Sequence, residues 1–115
     1  MKKYEVYHNA FGDKSVHVAN VNLPDEMPVM QALEVVFRKT NNVEGSWSKG
    51  PTFMYEGKEY ENMDYSEEVE VVKPLYVDKD GVEWGHRSLS VGDYVVVNGK
   101  KYNCEMVGWK AAAWV

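Results

Sequence analysis

The dipeptide Asn98-Gly99, set between Asp93-Tyr94-Val95-Val96-Val97 and Lys100-Lys101-Tyr102-Asn103-Cys104, limits what this chain can fold into more than any other feature. A type I′ turn needs positive φ at both central residues, and Asn-Gly meets that need at small steric cost. Two-residue closure there pairs Val97 with Lys100, Val95 with Tyr102 and Asp93 with Cys104. The same punctuation occurs twice more. Glu56-Gly57 separates Thr52-Phe53-Met54-Tyr55 from Lys58-Glu59-Tyr60, and Asp80-Gly81 separates Leu75-Tyr76-Val77 from Val82-Glu83-Trp84. Near the start, Tyr4, Val6 and His8 alternate with Glu5 and Tyr7, and Ser15-Val16-His17-Val18-Ala19-Asn20-Val21 alternates again. With Asn9-Ala10-Phe11-Gly12-Asp13 between them, these two runs read as a further hairpin.

One helix interrupts the strands. Val29, Ala32, Leu33, Val36 and Phe37 recur at helical spacing, with Gln31, Glu34, Arg38 and Lys39 off the stripe. The lead-in Leu23-Pro24-Asp25-Glu26-Met27-Pro28 places Pro and acids where a first turn accepts them, and Asn41-Asn42 offers a left-handed cap. The helix is expected over about 28–40. At 115 residues with no linker or low-complexity tract, the chain is expected to form a single domain over 1–115. The expected class is α+β: one helix packed on a bent antiparallel sheet built from hairpins, with partial closure into a barrel in the C-terminal half.

Charge narrows the function. Thirteen basic against eighteen acidic side chains leave −5, which argues against binding to duplex nucleic acid. No apolar run reaches the ~18–20 residues of a membrane span, and Met1-Lys2-Lys3-Tyr4-Glu5 lacks an apolar signal core. A single cysteine, Cys104, rules out an internal disulfide framework and fits a reducing compartment. The acidity is local. Residues 55–72 carry Glu56, Glu59, Glu61, Asp64, Glu67, Glu68 and Glu70 against Lys58, a net of −6, so the rest of the chain is +1. Tyr55, Tyr60, Met63 and Tyr65 are interleaved with them. The segment reads as an acidic, Tyr-rich docking surface, or more plainly as a solvated sheet edge whose charges deter pairing.

A second feature is Trp84-Gly85-His86-Arg87-Ser88-Leu89-Ser90-Val91-Gly92-Asp93. His86, Arg87 and Ser88 suit a small anion or a partner, through a guanidinium fork and a titratable imidazole. Alternatively, Ser88 and Ser90 satisfy turn amides. His8 and His17 can meet across the first hairpin, but no spacing completes a metal site with Cys104 or His86. No nucleophile elbow or phosphate-cradling glycine motif is present. No catalytic residue, metal or cofactor is assigned.

Two blocks carry a resemblance. Leu33-Glu34-Val35-Val36-Phe37-Arg38-Lys39-Thr40-Asn41-Asn42 with Trp47, and His86-Arg87-Ser88-Leu89-Ser90-Val91-Gly92-Asp93 with Gly99, Tyr102 and Gly108-Trp109, are similar to a family of small uncharacterised proteins of bacteriophages, plasmids and other mobile elements. Its pattern is a helix ending in Phe-Arg-x-Thr-Asn, a nearby Trp, and Arg-Ser-x-Ser-Val-Gly-Asp. The resemblance covers about residues 32–109; Asn42 stands where relatives often carry His, and the acidic insert is longer. It implies a phage or mobile-element accessory protein in the bacterial host cytoplasm, and no activity. It also implies that Thr40, Asn41 and Trp47 lie near Arg87, Ser88 and Ser90, as a polar network at the helix end.

The leading expectation is thus a non-enzymatic binder or inhibitor of a host or defence protein. Its contact set is Tyr55, Glu59, Tyr60, Glu61, Asp64, Tyr65, Glu67, Glu68 and Glu70. The alternative is a ligand-binding or catalytic module using Thr40, Asn41, Trp47, His86, Arg87, Ser88 and Ser90. A structural component of a phage particle is the third.

Overall fold

The computed structural model describes residues 1–12 and 14–112; Asp13 of the expected first turn and the last three residues lie outside them. Strands β1 (Lys2–His8) and β2 (Val16–Leu23) form the N-terminal hairpin, with Tyr4 opposite Val21 and Val6 opposite Ala19. β8 (Tyr94–Val97) and β9 (Lys100–Cys104) form the Asn-Gly hairpin. Asn98 and Gly99 take φ of 53° and 72°, and Val97 faces Lys100 as the turn chemistry demands. β8 joins β1 with Val95 opposite Val6, so that two sequence-distant hairpins fuse edge to edge into one sheet.

Two strands that alternation did not announce complete the sheet. β5 (Val69–Val71) adds to β2 and β10 (Trp109–Ala111) adds to β9, each only three residues long. The order β10-β9-β8-β1-β2-β5 is antiparallel throughout and leaves β10 and β5 as separate edges. The sheet is therefore open, which corrects the expected barrel closure: short edge strands end the ladder before the twist can bring its ends together.

Helix α1 (Val29–Lys39) seats Ala32, Leu33 and Val36 on the face that carries Tyr4, Val6, Val21, Leu23, Val95 and Val97, all fully or almost fully buried. Its beginning differs from expectation. Pro24 to Met27 form a turn, Pro28 occupies the cap position, and Asp25 and Glu26 precede the first helical turn. Its end also differs, because no residue takes left-handed φ there. Thr40 returns its hydroxyl to the Val36 carbonyl at 2.8 Å, and the Asn41 amide donates to the Phe37 carbonyl.

A bulge between Val6 and Tyr7 inserts Val18 into β2. It leaves Tyr7 opposite His17 and His8 opposite Val16. Since neighbouring strand residues face opposite ways, His8 points into the core and His17 to the outer face. The two histidines do not meet. His17 stacks on Tyr7, which stacks on Tyr94, with 4.8 Å between ring centroids at each step.

The remaining hairpins leave the sheet. β3 (Thr52–Tyr55) pairs with β4 (Lys58–Glu61), and β6 (Tyr76–Val77) with β7 (Glu83–Trp84). Apart from half-buried Phe53, every strand residue in these two arms is exposed.

Candidate functional site

The arms are rooted in one polar frame. Trp47 is buried and gives its indole N–H to the Arg87 carbonyl at 2.9 Å. Burying an indole contributes about 4–6 kcal/mol of hydrophobic free energy, enough to fix an otherwise glycine- and serine-rich loop. Asn62 is 4% exposed, and its amide donates to the carbonyls of Ser46 and Gly50 while its oxygen accepts the Ser46 N–H. Its own N–H reaches the Pro51 carbonyl at 2.8 Å, closing the root of the β3–β4 arm. The Asp64 carboxylate accepts three consecutive N–H groups, those of Val43, Glu44 and Gly45. On the other side, the His86 N–H donates to Ser48 Oγ at 2.7 Å, which ties the end of the β6–β7 arm to the same loop. Close packing adds to this: a Cβ on Gly45 would strike Asn62 Oδ1, and one on Gly85 would strike Ser46 Oγ.

The 86–93 segment does approach the helix end. Leu89 N–H donates to the Thr40 carbonyl, Asn42 N–H to Ser88 Oγ, and the Asn42 amide to the His86 carbonyl. Trp47 and His86 are 5.9 Å apart at their ring centres. The ionic groups of this segment work internally. Asp93 is wholly buried and receives the Asn9 and Ala10 N–H groups, the Ser90 N–H, and both terminal nitrogens of Arg87 at 2.7 and 2.9 Å. Burial pushes its carboxyl up, but Arg87 and the three backbone donors outweigh that and hold it below the ordinary value. The His86 Nε2 atom meets the Lys73 carbonyl at 2.8 Å. This is a clasp that joins the first hairpin's turn to the 87–93 loop. Of the alternative ligand set, Thr40, Asn41, Trp47, His86 and Ser88 bond to backbone groups of the fold, Arg87 bonds to the Asp93 carboxylate, and Ser90 contributes its backbone N–H to the same carboxylate.

A kink at Gly92, φ 99°, makes the clasp possible. Gly92 rather than Asp93 donates to the Cys104 carbonyl, so the Asp93 N–H turns back to Ser90. Cys104 lies buried beside it. Burial, then the Asp93 charge, pushes its thiol up to about 11, which keeps it protonated and unreactive.

The acidic segment divides. Glu68 pairs with Lys39 at 2.9 Å, Glu70 accepts from the buried Asn20, and Asp64 holds the frame. Glu56, Glu59, Glu61 and Glu67 are exposed, as are Tyr55, Tyr60 and Tyr65. Register sorts the β3–β4 arm into two faces: Phe53, Tyr55, Lys58 and Tyr60 on one, Thr52, Met54, Glu59 and Glu61 on the other. Phe53 and Tyr60 stack at 5.7 Å, while Met54 and Tyr55 remain 64% and 60% exposed. The β6–β7 arm, expected as a hairpin but given no binding role from sequence, exposes Tyr76, Val77, Val82 and Trp84. Its bend is wider than Asp80-Gly81 implied. Val77 pairs with Glu83, and the five-residue connection is held by Asp78, which accepts the Asp80 and Val82 N–H groups and the Trp84 indole. The indole bond first, then the Val82 N–H, keep the Asp78 carboxyl below its usual range.

Between the arms runs a cleft of about 370 Å³, bounded by Lys49, Thr52, Phe53 and Met54 on one side and Val82 and Glu83 on the other. Among the described residues no helix is long and apolar enough to cross a membrane. Comparison with protein-family models, curated proteins and solved structures finds no match to this chain.

Proposed function

We propose that this chain is a non-enzymatic accessory protein of a phage or mobile element that binds a host or defence protein in the bacterial cytoplasm through its acidic, Tyr-rich segment. The provenance rests on the resemblance of the helix-end and Arg-Ser-x-Ser-Val-Gly-Asp blocks. The binding role rests on one observation: the β3–β4 arm stands off the sheet with Met54, Tyr55 and Tyr60 exposed beside Glu56, Glu59 and Glu61. A lone two-stranded hairpin is marginally stable in water. Exposed tyrosine and methionine are the residue types that protein interfaces enrich, and acids around them select a basic partner.

The test is affinity capture from bacterial lysate with the wild-type chain and with a Glu56→Lys/Glu59→Lys/Glu61→Lys variant. These acids are exposed, and reversing them leaves in place the bonds that Glu68 makes to Lys39 and Glu70 to Asn20. A defined protein retained by the wild type and lost by the variant is the expected result. Equal retention by both, or by neither, refutes the reading.

A further inference from the structure

The cleft between the arms has a property that an exposed acidic surface does not need. In a hairpin closed by two residues, Tyr55 and Lys58 exchange both backbone hydrogen bonds, and alternate pairs repeat this. The Asn62 N–H to Pro51 carbonyl bond confirms the phase at the root. Thr52 and Met54 therefore turn their N–H and C=O groups away from β4, toward the free edge of β3. That edge borders the cleft, and among the described residues no further strand adds to it. Across the gap stand Val82 and Glu83 on the second arm. Each arm carries a net −2: Glu56, Glu59 and Glu61 against Lys58, and Asp78, Asp80 and Glu83 against Lys79. Lys49 at the cleft floor is the one cation among its lining residues.

We infer that this cleft receives an extended, Lys/Arg-rich segment of the partner as a third strand on β3. The inference rests on the binding role proposed above and locates its contact. The incoming strand pairs its backbone with Thr52 and Met54, seats one apolar side chain between Met54 and Val82, and directs cationic side chains to Glu59, Glu61 and Glu83. Strand addition draws affinity from main-chain bonds and specificity from alternate side chains. It also relieves the instability of an isolated two-stranded arm. Charge complementarity selects a basic segment over an acidic one.

The probe is a synthetic peptide, Ac-Lys-Arg-Thr-Leu-Thr-Arg-Lys-NH2, titrated into the full ¹⁵N-labelled chain. Two versions N-methylated at odd or at even residues, and a Glu-for-Lys/Arg version, accompany it. The expected result is saturable binding with the largest amide shifts at Thr52, Met54 and Val82. Exchange of the Thr52 and Met54 amides slows at least tenfold at saturation. One methylation phase binds and the other loses at least tenfold in affinity, because only one edge of the peptide pairs; the acidic version does not bind. The exposed-site variant Val82→Asp weakens binding at least fivefold. Equal binding of both methylated phases, shifts confined to Glu59, Glu61 and Glu67, or no binding of the basic peptide overturns the cleft. The wider binding role is decided separately, by the lysate comparison with the triple charge reversal.

Discussion

Asp93→Asn is the most informative single perturbation of this fold. The substitution keeps the shape and removes the charge, so its cost reads the clasp alone. Wild-type Asp93 accepts five N–H donors, with Asn9, Ala10 and one Arg87 nitrogen on Oδ1, and Ser90 and the other Arg87 nitrogen on Oδ2. An amide must present an NH2 group to one set. The better orientation sacrifices the Oδ2 side, which strands two donors, one of them a guanidinium whose side chain is 29% exposed. An unmet buried donor costs about 1–3 kcal/mol, and breaking a buried ion pair about 3–5 kcal/mol. A loss of about 3–5 kcal/mol is expected, against a total near 6–17 kcal/mol for a chain of this length. With unfolding entropy of about 2.1 cal/mol/K per residue, Tm falls by roughly 12–20 °C. The assay is urea and thermal unfolding followed by circular dichroism. The sign with pH is fixed as well: a carboxyl held below its unfolded value of ~3.9 contributes fully above that value and loses the contribution as pH falls through its folded value. The gap between wild type and variant is therefore widest near pH 6–7 and narrows below about pH 4. A gap under about 0.5 kcal/mol at pH 7, the range of ordinary surface substitutions, refutes the clasp.

Other outcomes follow from the frame and the core. Gly45→Ala drives a Cβ into Asn62 Oδ1, whose side chain is pinned by its own bonds, so a loss of about 1–3 kcal/mol is expected in urea unfolding. Asn62→Ala deprives the Ser46 and Gly50 carbonyls of their donor; amide exchange over 52–61 is expected to accelerate while that of β8–β9 stays unchanged, measured by hydrogen exchange. Cys104, with its thiol at about 11, is expected to resist Ellman's reagent in the native chain at pH 8 and to react promptly in denaturant. Gly99→Ala sets a side chain at φ 72° and is expected to cost about 1 kcal/mol without moving the β8–β9 register.

Legibility in the sequence followed the range of the physics. Asn98-Gly99 dictates its own hairpin because both φ values are local, and Val97 meets Lys100 accordingly. The helix stripe is found at Ala32, Leu33 and Val36 and the span agrees to one residue at each end, whereas the capping chemistry differs, since capping depends on which backbone groups find partners. β5 and β10 are not legible in the sequence because three residues give no measurable alternation. Arg87 reads from sequence as an anion ligand, whereas the fold pairs it with Asp93, six residues on. Opposite charges flanking a glycine bend were the available signal. The β6–β7 arm had another: Tyr76, Val77 and Trp84 put apolar side chains on both faces of a two-residue strand pair, which no sheet here covers.

The amino-acid sequence by itself thus determined the hairpins, the helix and the local concentration of acid, all set by interactions within a few residues. Only the tertiary structure decided which acids are available. Asp64, Glu68 and Glu70 are engaged by the loop at 43–45, by Lys39 and by Asn20, partners 19 to 50 residues away. Glu56, Glu59 and Glu61 stay exposed because the arm that bears them is rooted through Asn62 yet buries almost none of its surface. A carboxylate's role depends on the donors that reach it, and chain folding, not local order, delivers those donors.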